Sequence, residues 1–225
     1  MILNRKTRYL QIALNSTLDE AYSIIRQLPP SERILIEAGT PLIKQYGMGA
    51  VVRLREWWQD QLDTDEINPY IVADLKTMDR GETEATIVKN AGASAAIALG
   101  QSPVETLNAF IDSCSRFGLD SMVDMMNVEQ PIKILRKLKK LPTVVILHRG
   151  VDEEIFNKDK PVPYIQINKI RASYNTLISI AGGDTIREVQ RAIFNDADIV
   201  VVWKEFYTSN QNTATLASEF LHVIK

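Results

Sequence analysis

Apolar residues gather along this chain in eight short runs, YLQIAL, RILIEAG, YIVADLK, AAIALG, DSMVDM, TVVILH, TLISIAG and DIVVVW, which begin near Tyr9, Arg33, Tyr70, Ala95, Asp120, Thr143, Thr176 and Asp198. Runs of this length and β-branched content read as strands covered on both faces. Between them lie segments such as TLDEAYSIIRQL, SPVETLNAFIDSCSRF, VEQPIKILRKLKKL and TIREVQRAIF, whose apolar positions recur at helical spacing. The runs start 22 to 37 residues apart, room for a strand, a helix and two turns. Eight such units predict an α/β fold, a single (β/α)8 TIM barrel over residues 1–225, because closing the sheet on itself leaves no strand edge exposed. A doubly wound open sheet is the other arrangement that the alternation permits. No Pro- or Ser-rich linker divides the chain.

Two intervals are long. The first is predicted to be an extended segment at residues 51–69, where Trp57 and Trp58 stand beside acidic residues; packing against the barrel, a lid or a partner seam are its readings. The second is predicted to be an active-site rim loop at 149–175, because Pro161 and Pro163 disfavour a continuous helix.

Composition narrows the function. The 225 residues are 45% hydrophobic and 24% charged, with a formal net charge of -2, so no broad positive field is available to hold nucleic acid. LREWWQD mixes aromatics with both charge signs and forms no evident stacking groove, and neither a Walker loop nor a dinucleotide-binding fingerprint occurs. Cys114 is the single cysteine, which excludes an internal disulfide and a multi-cysteine zinc framework. No apolar run reaches membrane-spanning length, so the expectation is a cytoplasmic protein without nucleic-acid or membrane partners.

Barrel chemistry belongs at the C-terminal ends of the strands. There this chain places Glu37 on the second strand, Asp74 and Lys76 on the third with Asp79 in its exit turn, Asp124 on the fifth, and His148 on the sixth, followed by Asp152. Glu37 and Asp74 come from neighbouring strands and could ligate one Mg²⁺ or Mn²⁺, hard cations that keep water and accept substrate oxygens. Lys76 could then face a developing oxyanion, and His148 could move a proton near neutral pH. A buried salt-bridge network is the alternative for the same charges. Gly182 and Gly183 let a phosphate approach the start of a helix, although Asp184 would compete for the amides and Thr185 with Glu188 reads equally as a capping box. Cys114 and His222 read as helix packing and carry no assigned chemistry.

The segments IEAGTPLIKQYG, ADLKTMDRGETEA, AGAS to ALG and LHRGVD, spread between Leu10 and about Val202, resemble 3-hexulose-6-phosphate synthase within the orotidine-monophosphate decarboxylase group of barrels. The D-x-K-x-x-D pattern of Asp74, Lys76 and Asp79 carries most of that resemblance. It implies magnesium-dependent addition of formaldehyde to ribulose 5-phosphate through an enediolate. By the same resemblance Glu37 and Asp74 are metal carboxylates, Lys76 is the cation at the enediolate, His148 transfers the proton and Asp152 orients the site. Asp79 reaches into the partner's site, so a homodimer with shared active sites is implied.

The chain departs from that pattern in three places. Asn15 stands where an aspartate is usual, VVVWKEFYTS puts Trp203 and Lys204 in place of a second glycine-rich phosphate loop, and Asp184 replaces an apolar residue beside the glycine pair. Asn15, Asp124, Gly182, Gly183 and Lys204 are the expected substrate or phosphate contacts, with Lys204 a point charge in place of the lost amides. Another enzyme of this group acting on a changed substrate, a decarboxylase or aldolase, and a noncatalytic binding barrel are the other readings.

Overall fold

The computed structural model describes residues 2–64, 66–157, 159–209 and 212–225; residues 65 and 158, which fall within the two long intervals, lie outside the described residues. The strands are β1 Tyr9–Leu14, β2 Ile34–Ala38, β3 Ile71–Thr77, β4 Ala95–Leu99, β5 Asp120–Asp124, β6 Val144–His148, β7 Leu177–Ala181 and β8 Ile199–Val202. Each lies within two residues of its apolar run. All pair in parallel in sequence order, and β8 returns to β1, so the sheet closes into a barrel.

The helices are α1 Leu18–Ile25, α2 Thr40–Tyr46, α3 Gly49–Leu62, α4 Gly81–Asn90, α5 Val104–Phe117, α6 Pro131–Leu135, α7 Val151–Phe156, α8 Ile165–Arg171, α9 Ile186–Phe194, α10 Lys204–Thr208 and α11 Thr213–Val223. Alternate strand residues divide between two cores. Leu10, Ile12, Ile36, Ala73, Val145 and Val200 face outward onto the helices, while Leu35, Val72, Ile97, Met122, Ile146 and Ile199 fill the barrel interior. The bottom is closed by the start of the chain: the amides of Ile2 (2.9 Å) and Leu3 (3.0 Å) and the Tyr70 hydroxyl (3.0 Å) donate to the buried Asp120 carboxylate. The apolar filling leaves the opposite, C-terminal end as the end open to a ligand.

The first long interval takes the packing reading, and the second reaches the rim of the C-terminal cavity through Arg149, Asp152 and Glu154. Trp58 is buried in the outer core and Trp57 packs edge-on against Tyr22, with ring centroids 5.0 Å apart, so helix-to-barrel packing accounts for the pair. The interval predicted as a rim loop instead contains α7 and α8, with Pro161 and Pro163 between them. Proline ends a helix without preventing another from starting beyond it. Thr185 and Glu188 do form the capping box of α9. Among the described residues no helix is long and apolar enough to cross a membrane.

Candidate active site

A cavity of about 540 Å³ opens at the C-terminal end of the barrel, and its lining includes Glu37, Asp74, Lys76, Asp124 and His148, drawn from β2, β3, β5 and β6. Strand alternation aims most of them inward. On β1 it also brings Gln11 and Ala13 to the cavity wall, with Asn15 one residue past the end of the strand. Lys76 arrives by a different route. The β3–β4 pairing advances four residues on β3, from Ala73 to Thr77, against two on β4, and Lys76 within that bulge has φ +48°. Left-handed backbone costs a lysine on the order of 1 kcal/mol, a strain typical of residues re-aimed at a functional site.

Lys76 Nζ lies 2.7 Å from Asp74 Oδ2 and 3.3 Å from Asp124 Oδ2. Burial works to lower its pKa, but the two carboxylates outweigh it, so the ammonium is held more firmly than in water. Asp124, 1% exposed, also accepts from the Met126 amide at 2.9 Å and contacts His148 Nδ1 at 2.8 Å. Burial alone would raise the Asp124 pKa and lower that of His148. Their mutual attraction reverses both, so the carboxylate is held below its ordinary value and the imidazole above 6.5. With Nδ1 engaged, Nε2 is the ring nitrogen left for a ligand. Asp124 lines the cavity as well, and its Oδ2 links the imidazole of His148 to the ammonium of Lys76.

Glu37 is 6% exposed and accepts from Gln11 Nε2. Burial first, and then the neighbouring charge of Asp74, push its pKa up to about 7. Asp74 is 5% exposed; its Oδ2 accepts from Lys76 and from Thr40 Oγ1 (3.0 Å), while its Oδ1 is buried without a hydrogen-bond partner among the described residues. A hard divalent cation fits this pair, because it would occupy the unpartnered oxygen and relieve the reluctance of Glu37 to ionise. No group of three or more His, Cys, Asp or Glu able to hold a metal occurs among the described residues, so water and substrate oxygens would complete the shell. Gln11 escaped the sequence reading. Its signal was a polar side chain at an inward position of an otherwise apolar strand.

The remaining expected contacts separate into two sets. Asn15, Asp152 and Gly182 line the cavity, whereas Asp79, Gly183 and Lys204 do not. Asp79 is exposed on the exit turn of β3. Gly182 has φ +91°, and a Cβ there would stand 2.2 Å from the Arg149 carbonyl oxygen, so tight backbone packing explains this glycine. Lys204 pairs with Glu154 at 2.8 Å, and Asp184 Oδ1 accepts from the Trp203 amide at 2.6 Å and the Lys204 amide at 3.4 Å. The Lys204 ammonium and the Trp203 and Lys204 amides are thus engaged by carboxylates of this chain.

A closed parallel barrel with a charged cavity at its strand C-termini defines the class, a (β/α)8 barrel. The orotidine 5'-phosphate decarboxylase / HUMPS family model matches residues 8–218, and the chain belongs to that family. It is 34% identical over 219 residues to the bifunctional enzyme Fae/Hps of Methanocella arvoryzae, covering 96% of this chain and 53% of that protein. Identity to the Fae/Hps enzyme of Archaeoglobus fulgidus is 38% over 198 residues, covering 86% and 47%. The chain spans about half the length of these curated relatives. The crystal structure of 3-hexulose-6-phosphate synthase from Salmonella typhimurium superposes with a TM-score of 0.83 at 25% identity, covering 96% of this chain and 98% of that one.

Proposed function

We propose that the chain is an aldol lyase of the 3-hexulose-6-phosphate synthase kind, joining formaldehyde to C1 of a pentulose through an enediolate and cleaving the product in reverse. One observation carries this reading: a held cation, Lys76, and an oriented base, His148, are tied through the single Asp124 carboxylate in one cavity. In the forward direction neutral His148 takes the C1 proton through Nε2. Lys76 stabilises the enediolate oxygen that gains charge, an interaction stronger in the transition state than with the ground-state ketose. C1 then forms its bond to the formaldehyde carbon as the C=O π bond breaks, and the resulting alkoxide takes back the proton held on His148 Nε2 to become the new hydroxyl. Asp152, on the first turn of α7 at the cavity edge, positions the substrate. Glu37 and Asp74 would hold Mg²⁺ or Mn²⁺, which when bound supplies Lewis-acid polarisation of the ketose oxygens. Asp79, outside its own cavity, is proposed to serve the partner's site in a homodimer.

Product analysis tests the reading. With Mg²⁺, formaldehyde and ribulose or its 5-phosphate, formaldehyde is expected to disappear as a hexulose forms. The same residues would stabilise an enediolate left by loss of carbon dioxide, so a decarboxylase is the second reading. Carbon dioxide release from a β-keto sugar acid without formaldehyde consumption would favour it.

The metal assignment has its own readout. Glu37 titrates at about 7, and a cation binds only its ionised form. Binding of Mg²⁺ is therefore expected to release about half a proton per chain at pH 7 and almost none at pH 9. Calorimetry in buffers of different ionisation enthalpy measures this, and Glu37→Gln should abolish the release. Binding with no proton release at pH 7 would remove Glu37 from the metal site.

A further inference from the structure

The interior of a closed barrel is an unfavourable place for a polar side chain, and β1 puts one there. Its inward positions are Tyr9, Gln11 and Ala13. Tyr9 and Ala13 belong to the apolar interior, and so do the ladder neighbours of Gln11, Leu35 on β2 and Val201 on β8. Gln11 is 1% exposed, and its Oε1 is buried without a hydrogen-bond partner among the described residues. An unpaired buried acceptor is destabilising where an apolar side chain of the same size would not be. Packing therefore gives no reason for a glutamine at this position.

Its donor supplies the reason. Glu37 stands two residues beyond Leu35, diagonal to Gln11 across the ladder of β1 and β2, and Gln11 Nε2 donates to Glu37 Oε2. That bond engages one oxygen of the carboxylate and leaves Oε1 for a ligand. Asp74 repeats the pattern, because Lys76 and Thr40 Oγ1 hold its Oδ2 and its Oδ1 is left. Both carboxylates of the candidate cation site are thus held by one oxygen. For Glu37 the holding group is a neutral amide, which orients the carboxylate without adding a positive charge that would oppose a cation.

We propose that Gln11 is a positioning residue of this site: its amide fixes the Glu37 carboxylate for a divalent cation while leaving the barrel less stable than an apolar residue would. The inference rests on the metal assignment made above and adds a residue that acts through Glu37 alone. Two effects of opposite sign separate it from a structural role. Removing an amide that served packing would lower stability and leave cation affinity as it was. Removing one that serves Glu37 lowers cation affinity and leaves stability intact or improved.

Gln11→Met keeps the length of the side chain and removes both the donor and the unpaired acceptor. Calorimetric titration with Mg²⁺ is expected to show about tenfold weaker binding than in the unaltered protein, the loss typical of removing a group that orients a metal ligand. The Tm of the metal-free variant, followed by circular dichroism with a chelator present, should equal or exceed that of the unaltered protein. Gln11→Leu should behave alike, so a poor fit of one side chain cannot decide the result. Because the effect passes through the cation, turnover of both variants should recover when Mg²⁺ is raised about tenfold, a rescue that Lys76→Ala should not show. Unchanged Mg²⁺ affinity in both variants, or a Tm lowered by several degrees in both without metal, would overturn the inference and leave the metal assignment standing. Turnover that stays low at high Mg²⁺ would overturn it as well, by placing Gln11 in the chemistry itself. Absence of Mg²⁺ binding by the unaltered protein would remove the metal assignment, and the role of Gln11 with it.

Discussion

Replacing Lys76 by alanine is expected to lower kcat for the aldol reaction about a thousandfold, the loss typical of removing a preorganised charge from a developing oxyanion. The effect should fall on kcat more than on KM, because the ground-state ketose carries no charge for the ammonium to meet. Asp74 and Asp124 lose their cation in this variant, and buried carboxylates without a partner are destabilising. The Lys76 side chain is 24% exposed, so water can reach the vacated position and the fold should persist with a lowered melting temperature. Circular dichroism and steady-state kinetics together check both halves of this result. Lys76→Gln, which keeps a donor without the charge, should recover stability but little turnover. Turnover close to that of the unaltered protein in either variant would exclude Lys76 from the chemistry.

The second large effect concerns the Asp124–His148 pair. Asp124→Asn is expected to reduce kcat/KM about a hundredfold or more, because an amide neither fixes the imidazole tautomer as a carboxylate does nor stabilises the ring once it has taken a proton. The pH profile distinguishes this from simple loss of structure. His148 works as a base only when neutral, and its pKa lies above 6.5 because Asp124 favours the protonated ring over the opposing effect of burial. Activity in the forward direction should therefore fall as pH drops through that raised value. Without the Asp124 charge, burial dominates and the acid limb should move to lower pH. An acid limb left in place by Asp124→Asn would mean that another group titrates.

Much of the barrel was legible because a buried parallel strand leaves a compact trace, a few apolar residues between turns, and the eight traces fall at strand-helix spacing. Glu37, Asp74, Lys76 and His148 were legible for a related reason: a charge that closes an apolar run stands at the end of a barrel strand. The connections among them were not. Asp124 meets His148 because β5 and β6 pair with Asp124 beside Ile146, which puts His148 two residues further along the next strand, and register is not written in either strand alone. The bulge that turns Lys76 inward depends likewise on how β3 meets β4.

Long-range pairing also decided the rim. Asp184 carries a carboxylate across 19 residues of chain to the Trp203 amide, and Lys204 meets Glu154 on α7, a short helix that ends before Pro161. Each residue invited a separate reading as a cap or a phosphate contact. Only the closed arc of β6, β7 and β8 shows that their charges answer one another.

Exchange of the ketose C1 hydrogen with solvent deuterium, followed by NMR with Mg²⁺ present and formaldehyde absent, tests most directly whether this cavity forms an enediolate. The unaltered protein should exchange that position catalytically, Lys76→Ala should exchange it about a thousandfold more slowly, and other carbon-bound hydrogens should remain. Retention of the C1 hydrogen by unaltered protein that binds the ketose, or equal exchange by Lys76→Ala, would contradict the account.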